Sequence, residues 1–499
     1  MARDPQAALV ALNRFGFGAR GGAAGDFANA ASDPRGFVKA ELAQPNAALL
    51  EVPGLLPTPA LADAMFKYQL EVRQAREAAK AAEAAKSETQ PVSQNPGPRG
   101  PSTTPKTASA SGAMAAVQPD AAKPAAMPVN VVQRTYRAEA LARIQRATIA
   151  DCGVVERLVA FWSNHFCISA NKGQPARMWA GAFEREAIRP HVFGHFAEML
   201  LAVEQHPAML FFLDNQQSIG PDSRAGKNRK RGLNENLARE IMELHTLGVG
   251  SGYTQSDVTS FARMITGWTY AGRAGRLGEP GAFIFNANAH EPGPQRLLGK
   301  VYDDTGLGQG EAALTDIAHH PATAKFIATK FARHFVADDP PPALVAKLQG
   351  VFTRTDGDLK AMTLALVESD EAWRAPLTKI RQPYDYLIAS GRLLARIPED
   401  PGLYLGGLNM LGQPLWTPPG PNGFPDVNAA WGAPEGMKLR LDIAARISSR
   451  IAPSIDPREL LEVAMGEAAS DETRQTVARA ESREQALALL LMSPEFQRR

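Results

Sequence analysis

Apolar residues recur at helical spacing along most of this chain. Downstream of Thr135, for example, Leu141, Ile144 and Phe161 belong to a run with that period. The alternation that is typical of strands is scarce. Only the segment GAFIFNA, with Phe283 and Phe285 in step, resembles a short strand, of the kind that a hairpin contains. The pattern predicts a mainly α fold, an irregular multi-helix globular domain with at most a short β-hairpin.

Several helices also show their boundaries. Residues 59–87 are rich in Ala, Glu, Lys and Arg and contain few helix breakers, which predicts a long exposed helix. Thr254 and Asp257 have the spacing of a capping box, in which each side chain bonds the other residue's backbone amide. Thr355 and Asp358 repeat the pattern before LKAMTLALVES, so we expect a second capped helix there.

The composition changes abruptly in residues 88–128. Pro, Ala, Ser, Thr and Gly dominate this segment, and large apolar residues are almost absent. Such a sequence cannot bury enough surface to offset the entropy lost on ordering, so we expect a disordered, flexible insertion. The chain then divides into an N-terminal helical part, a low-complexity insertion and the main helical part of the same domain, with the respective bounds 1–87, 88–128 and 129–499.

Charge and cysteine content narrow the classes of partner. Lys and Arg total 54 against 52 Asp and Glu, so the net charge of +2 gives no global field and makes a nucleic-acid partner unlikely. Cys152 and Cys167 cannot form a disulfide framework, and their spacing fits no common zinc signature. We therefore interpret both as small buried residues.

Targeting signals are also missing from the printed sequence. The N-terminus has no apolar run long enough for a signal peptide, and no span of about 20 apolar residues predicts a transmembrane helix. The expected location is cytoplasmic for the sequence as written, or periplasmic or exported if the true start lies upstream.

The common catalytic motifs give little evidence of an enzyme class in this sequence. Gly16, Gly18 and Gly21 match the glycine pattern of dinucleotide sites, but the preceding residues have helical rather than strand character, which favours a glycine-rich turn. The chain has no G-x-S-x-G elbow, Walker A loop, H-E-x-x-H helix or complete EF-hand loop. These absences remove several widespread enzyme classes.

Histidine is distributed unevenly, because all nine histidines lie between residues 165 and 334. Within this region Asn236, Glu240 and Glu243 follow the spacing i, i+4, i+7 and share one helix face, with Arg239 beside them. These four residues are the candidate catalytic residues. At about 100° per residue, His245 would point away from that face in a regular helix.

A metal at this face would need ligands from other elements. The candidate metal ligands are His165, His290 and Glu240, with His206 as a further candidate, and His together with carboxylate suits zinc, iron or manganese. The cofactor is thus unknown, with a divalent metal as the candidate.

Two other interpretations of the same residues stay open. In a structural one, Glu240 and Glu243 pair with Arg239 and other basic groups, while the histidines bond buried carbonyl groups. In another, Arg239 and Arg333 belong to a pocket that binds an anion.

Two further segments have both a structural and a binding interpretation. The loop from Arg224 to Arg231 is strongly basic, which suits an anionic ligand or a solvated loop. The stretch LGQPLWTPPGPNGFPDVNAAW combines Trp416 and Trp431 with prolines and glycines, a composition typical of a rigid cover over a core or of a binding surface.

Several motifs together resemble an uncharacterised bacterial family, catalogued as domain of unknown function 1800. The matching segments are LNRFGFGARGG, FWSNHF, LDNQQSIGPDSRAG, LNENLAREIMELHTLGVGSGYTQSDVTSFARMITGWT, HPATAKFIATKFARHFVADDPPPALV, LGQPLWTPPGPNGFPD and LALLLMSPEFQ. The resemblance runs from residue 12 to about residue 497 and implies one helical family domain. It implies no reaction, ligand or catalytic residue.

Two function hypotheses follow. The first is a polar cleft that catalyses hydrolytic or redox chemistry, with or without a divalent metal, and that is built from His165, Asn236, Arg239, Glu240, Glu243 and His290. The alternative is a noncatalytic binding or assembly protein that recognises an anionic polymer or a protein partner.

Overall fold

The structure is a computed structural model that describes residues 3–22, 25–88, 128–228, 232–451 and 454–499. Helices dominate these residues, and the strands form only two short two-stranded sheets. The predicted mainly α fold is confirmed. Except for its first and last residues, the predicted insertion at 88–128 lies outside the described residues.

The α-helices are labelled in chain order. The first twelve are α1 Pro5–Val10, α2 Asp26–Ser32, α3 Pro34–Leu42, α4 Thr58–Glu88, α5 Val131–Ile149, α6 Val154–His165, α7 Gln174–Phe183, α8 Phe196–Glu204, α9 Pro207–Phe212, α10 Asn236–Glu240, α11 Gln255–Met264 and α12 Leu307–Ala318. The others are α13 Pro321–Phe335, α14 Pro342–Arg354, α15 Leu359–Glu368, α16 Asp370–Arg374, α17 Pro383–Leu393, α18 Gly402–Met410, α19 Asn428–Trp431, α20 Pro434–Ile451, α21 Pro457–Met465, α22 Asp471–Ala478, α23 Arg483–Met492 and α24 Pro494–Gln497.

The helix-start predictions have different outcomes. Thr254 and Asp257 form the predicted capping box at the start of α11. The second capping box is wrong. Asp358 caps α15 by itself, because its side chain accepts a hydrogen bond from the amide of Ala361, while Thr355 ends the preceding helix α14. Capping one helix and ending another are both roles for a short polar residue, and spacing alone does not separate them.

The four strands pair as two antiparallel sheets. β1 Trp268–Tyr270 pairs with β2 Phe283–Phe285, the strand that the alternating pattern predicted. β3 Gln295–Leu297 pairs with β4 Lys300–Tyr302 through the two-residue turn Leu298–Gly299. Both turn residues have positive φ, 47° and 83°, which two-residue hairpins of this type need. Leu is rare in that conformation, so the sequence carried no signal for this second sheet.

Three short segments have π-helical geometry. They are Ala11–Phe15, which continues α1, Glu184–Ile188, which continues α7, and Ile241–His245, which continues α10. The third segment matters for the sequence analysis, because the directions assigned to Glu243 and His245 assumed a regular helix. In a π-helical turn the backbone hydrogen bonds join residues i and i+5, and this rotates the side chains that follow relative to their directions in a regular α-helix.

The described chain divides into two compact units. Residues 1–63 and 132–499 form one unit, and residues 64–131 form the other. The predicted long helix is confirmed as α4, whose residues from 73 to 84 are mostly exposed. The predicted partition at residues 88 and 128 stays a prediction.

The core of the larger unit contains a helix that is buried along its whole length. Every residue of α17 is buried, including Asp385 and Arg392. A charged group in such a position needs a partner, because burying an unpaired charge is costly. Asp385 has its partners in the site described next.

Candidate functional site

A cavity of about 260 Å³ lies within the larger unit. Its walls come from α6, from α13, from the start of α17 and from the loop at residues 413–427. Small-molecule sites in proteins commonly measure about 300–1,000 Å³, so this cavity suits a small ligand. Its polar and charged lining residues include Arg143, Ser163, Asn164, His165, Cys167, Lys330, Arg333, His334, Gln382, Tyr384, Asp385, Gln413, Asn422 and Asp426.

One face of α13 supplies the basic side of the cavity. Lys330, Arg333 and His334 lie at positions i, i+3 and i+4, so the helical period places them together. Phe331 and Phe335 alternate with them and are fully buried in the core. The amphipathic pattern of α13 thus anchors the helix by its aromatic side and directs three basic side chains to the cavity.

His334 and Asp426 form a hydrogen-bonded pair in the wall. The imidazole Nδ1 of His334 lies 2.7 Å from Oδ2 of Asp426. An ionised carboxylate can only accept, so Nδ1 carries the proton and donates. Burial lowers the pKa of His334 to about 4 despite the neighbouring carboxylate, so the ring is neutral at neutral pH.

The other nitrogen of this ring is consequently an unprotonated acceptor. Nε2 of His334 is buried and has no hydrogen-bond partner among the described residues. A carboxylate that orients one nitrogen of a histidine and leaves the second nitrogen unprotonated is the arrangement of a general base. An unpartnered buried acceptor also costs about 1–3 kcal/mol, which a ligand that donates to it would recover.

Buried cations hold the carboxylate of Asp426 ionised. Lys379 lies 3.0 Å from it and Arg499 lies 3.2 Å from it. Burial alone raises the pKa of Asp426, yet that pKa lies well below its usual value because His334 donates to the carboxylate and Arg499 and Lys379 add positive charge. Asp426 therefore remains an acceptor throughout the neutral range.

Arg499 extends the network to the buried helix α17. Its Nε lies 3.2 Å from Asp385, and the guanidinium of Arg157 lies 3.1 Å from the same carboxylate. Burial raises the pKa of Asp385, but the charges of Arg157 and Arg499 outweigh it and keep the pKa below its usual value. Both acids of the cavity thus have cationic partners.

Lys330 and Arg333 differ from these cations in having no carboxylate within ion-pair distance among the described residues. Arg333 donates from Nε to the backbone carbonyl of Asp338 at 3.0 Å. The ammonium of Lys330 lies 5.3 Å from the ring centroid of Phe326, and burial lowers its pKa to about 8. The cavity therefore has two cationic groups that form no ion pair with a carboxylate of the described chain, and the charge of Asp426 acts on Lys330 from a longer distance and raises its pKa against the effect of burial.

Trp416 also lines the cavity, in a conformation that bulky residues seldom adopt. Its φ is 50°, in the left-handed region that costs a non-glycine residue of order 1–3 kcal/mol. Its indole nitrogen donates to Glu184 at 3.3 Å, and its ring packs edge-on against Tyr136 at 5.8 Å. Arg143 lies 5.6 Å from the ring centroid. These contacts fix the indole as a rigid aromatic surface.

Asn164 ties the loop at residues 413–427 to α6. Its amide nitrogen donates to the carbonyl of Phe424 at 2.9 Å, and its carbonyl accepts from the amide of Phe424 at 2.8 Å. The loop approaches so closely that a Cβ at Gly423, whose φ is 76°, would lie 2.4 Å from the backbone oxygen of Asn164. Glycine is required there by space and by conformation.

Cys167 is buried beside the same loop. Its Sγ is 3.3 Å from the carbonyl of Pro421, to which the thiol donates, and burial raises its pKa to about 12. The expectation that Cys152 and Cys167 are both buried is confirmed. At neutral pH, Cys167 contributes a neutral thiol rather than a thiolate nucleophile.

The four residues predicted as catalytic lie at α10 and its π-helical continuation, outside the lining of the cavity. Arg239 pairs with Glu243 at 3.6 Å and with Glu235 at 3.1 Å, in keeping with the structural interpretation of this face. Asn236 is exposed. Burial raises the pKa of Glu240, and the charge of Glu243 adds to that effect. Their catalytic role stays a prediction.

The predicted metal ligands occupy different places. His165 is buried in the cavity wall, where Nε2 donates to the carbonyl of His245 at 3.0 Å. His290 is buried beside β2 and donates from Nδ1 to the carbonyl of Thr266 at 3.1 Å. In the part of the chain that the structure describes, no group of three or more His, Cys, Asp or Glu side chains could hold a metal ion.

No such group of described residues therefore contains His165, His290 or Glu240, and their role as metal ligands stays a prediction. Two of the three bond neighbouring groups in the way that the structural interpretation expects. His245 is also buried and pairs with Glu204 at 2.8 Å.

The basic loop from Arg224 to Arg231 is described only to residue 228, so residues 229–231 lie outside the described part. The Trp416 to Trp431 stretch proves to be a wall of the cavity. Trp431 is buried, and its indole nitrogen donates to the carbonyl of Pro425 at 2.7 Å.

Sequence reasoning found Arg333 as an anion-binding candidate but missed Lys330, His334 and Asp426. The spacing of Lys330, Arg333 and His334 was a usable signal, since three basic residues on one face of an otherwise apolar helix form a local pattern. Asp426 lies 92 residues from His334 in a loop without periodicity, so no sequence pattern connects the pair.

Comparison with known proteins agrees with the resemblance seen in the motifs. The family model described as protein of unknown function (DUF1800) matches residues 10–498. The chain belongs to this family. All residues that line the cavity fall inside the DUF1800 match, whereas Arg499 follows its last matched residue. No curated protein and no solved structure matches the chain.

The helices of this DUF1800 chain were also compared with the length and hydropathy that a bilayer requires. Among the described residues, none is long and apolar enough to cross a membrane.

Proposed function

We propose that this DUF1800 protein binds a small organic anion in its cavity and exchanges a proton with it through His334. The observation that supports the proposal is the α13 face. It combines a carboxylate-oriented histidine, whose Nε2 has no partner in the described chain, with two cations that form no ion pair with a described acid.

Each group has a chemical role in this proposal. Arg333 binds the anionic group of the ligand, because a guanidinium offers paired donors to carboxylate or phosphate. Lys330 adds positive charge next to it. His334 accepts a proton from the ligand at Nε2, and Asp426 holds the ring in the required tautomer and stabilises the imidazolium that forms.

The aromatic wall would complete the site. Trp416, Phe161 and Tyr384 add aromatic surface to the cavity, and Arg143 lies over the rings of Tyr384 and Trp416. Such a surface removes water from a bound ligand and strengthens its interaction with the charged groups. A small anion with an apolar body fits this distribution better than a long polymer, since the cavity measures about 260 Å³.

Ligand-induced stabilisation tests the proposal. The full-length protein is heated with lactate, succinate, inorganic phosphate or sulfate, and with glucose as an uncharged probe. A ligand at about one hundred times its dissociation constant stabilises the native state by about 2.7 kcal/mol, so binding raises the midpoint of thermal unfolding. We expect at least one anion to raise it and glucose to leave it unchanged.

Variants on one helix provide the control. Arg333→Gln removes a charge-assisted contact and should weaken anion binding by about tenfold or more. Lys325→Gln alters an exposed lysine of α13 outside the cavity and should leave binding unchanged. If no anion stabilises the protein, or if Arg333→Gln binds as tightly as Lys325→Gln, the proposal is wrong.

A further inference from the structure

We infer that Lys330 is a nucleophile toward carbonyl compounds and that the organic anion of the cavity is a 2-oxo acid, whose carbonyl carbon condenses with the lysine amine. The inference rests on the proposed function, because it assigns the anionic group of the ligand to Arg333. It adds a covalent role for Lys330 and a substrate class.

The surroundings of Lys330 differ from those of a lysine in an ion pair. The residue lines the cavity, its ammonium lies over the ring of Phe326, and no described carboxylate is within ion-pair distance. A desolvated lysine beside another cation is an arrangement that frees the amine for attack on a carbonyl group. The burial that lowers the pKa of Lys330 to about 8 leaves about a tenth of the amine unprotonated at neutral pH.

The neighbouring residues match the two functional groups of a 2-oxo acid. Arg333, one helical turn from Lys330, offers paired donors to the carboxylate. The carbonyl carbon lies one bond from that carboxylate, and His334, four residues after Lys330, is on the same helix face. One face of α13 therefore carries an anion-binding group, an amine and a base.

The reaction needs no other reactant. The amine of Lys330 attacks the carbonyl carbon, a C–N bond forms and the carbonyl π electrons move to oxygen. The two protons lost from the nitrogen pass, one at a time through Nε2 of His334, to that oxygen. The C–O bond then breaks, water leaves and an imine joins the ligand to Lys330.

Reductive trapping tests the inference. The full-length protein is incubated with glyoxylate, pyruvate or phenylpyruvate at neutral pH, each with sodium cyanoborohydride, and the modified lysines are identified by peptide mass mapping. Burial lowers the pKa of Lys330 to about 8 and so raises its fraction of free amine at neutral pH, and we expect Lys330 to be labelled about tenfold or more faster than the exposed Lys325. The labelling rate should rise with pH to a midpoint near that pKa.

Variants distinguish a specific site from general lysine reactivity. Arg333→Gln should slow the labelling of Lys330 by about tenfold or more, since it removes the carboxylate contact. Lys330→Met should abolish labelling at this position, with its thermal unfolding midpoint measured to confirm folding. Comparable labelling of Lys325 and Lys330, or labelling that is insensitive to Arg333→Gln, overturns the inference.

Lactate separates this inference from the proposed function, because it carries the carboxylate but no carbonyl group. If lactate stabilises the protein and Lys330 is not labelled by any of the three oxo acids, the imine is refuted while anion binding stands. If lactate, succinate, phosphate and sulfate all fail to stabilise the protein and Lys330 is not labelled, both proposals are wrong.

Discussion

Replacing Arg499 by Met should destabilise the protein strongly, since this side chain is fully buried beside the two acids that line the cavity. Its guanidinium lies 3.2 Å from Asp385 and 3.2 Å from Asp426, and Nη1 donates to the carbonyl of His334 at 2.7 Å. The Met side chain keeps much of the apolar volume and removes the charge and all three contacts.

The size of the expected loss of stability depends on the cationic partners that Asp385 and Asp426 keep. Breaking a buried ion pair by removing one partner typically costs about 3–5 kcal/mol. Asp385 keeps Arg157 at 3.1 Å and Asp426 keeps Lys379 at 3.0 Å, so neither acid loses every partner. We therefore expect about 3 kcal/mol, the lower end of that range. This is a large fraction of a typical free energy of unfolding, about 5–15 kcal/mol.

Urea unfolding at neutral pH, followed by tryptophan fluorescence and by far-UV circular dichroism, measures the loss. Arg498→Met is the matched control, because Arg498 is the adjacent arginine and its side chain is exposed. The double variant Arg499→Met with Asp385→Asn should be less destabilised than the sum of its single variants, by about 1 kcal/mol or more. A loss in Arg499→Met no greater than in Arg498→Met would refute the claim that the buried network stabilises the site.

Three further outcomes are expected. The pKa of His334 is about 4 in the folded protein and about 6.5 in the unfolded protein, so the unfolded state binds more protons between these pH values. The free energy of unfolding is therefore at its full value above pH 6.5 and falls by up to about 3 kcal/mol as the pH drops toward 4. Urea titrations at several pH values should show this fall, and the pH dependence should be much weaker in His334→Gln. Asn164→Ala should speed hydrogen exchange in the loop around Phe424 and lower the free energy of unfolding by about 1–3 kcal/mol. Asn409→Ala, at an exposed position, should change neither quantity, and equal exchange in the two variants would contradict the role of Asn164. Cys167, with a thiol pKa raised to about 12, should react with iodoacetamide far more slowly in the native than in the urea-unfolded protein, and equal rates would show that the thiol is accessible.

The helical architecture is predictable because its signals are local. The exposed helix α4 and the capped start of α11 follow from composition and from residues within one turn of each other. The hairpin turn at Leu298 is different, since Leu298 adopts a positive φ and donates from its amide to Asp257, 41 residues away. A tertiary contact thus supports a backbone conformation that the local sequence disfavours.

The site is predictable only in part, because some of its contacts also join residues that are far apart in the sequence. Arg333 was recognised as an anion-binding candidate, and the spacing of Lys330 and His334 on α13 is readable in the sequence. What makes His334 a base is a carboxylate 92 residues away. That carboxylate in turn depends on Arg499, which is 73 residues further along. Burial lowers the pKa of His334, and neighbouring charges lower the pKa of Asp426 against the effect of its burial, so both depend on the folded structure.

The segment around Glu240 shows a second limit. Residue types and spacing correctly indicate a helix with a shared polar face, but they cannot show that the helix changes to π geometry at Ile241. Nor can they decide between catalysis and pairing. The contact of Arg239 with Glu243 at 3.6 Å favours pairing, and no pattern in the sequence distinguishes that contact from a site.

The tautomer of His334 tests the central claim most directly. Long-range proton–nitrogen correlation spectra of protein labelled with ¹⁵N-histidine report which ring nitrogen carries the proton, and the His334→Gln spectrum assigns the signal. We expect a neutral ring at neutral pH with the proton on Nδ1, facing Asp426, and with Nε2 unprotonated. A ring protonated on Nε2, or an imidazolium at neutral pH, would contradict it, because neither has a nitrogen free to act as the base of the cavity.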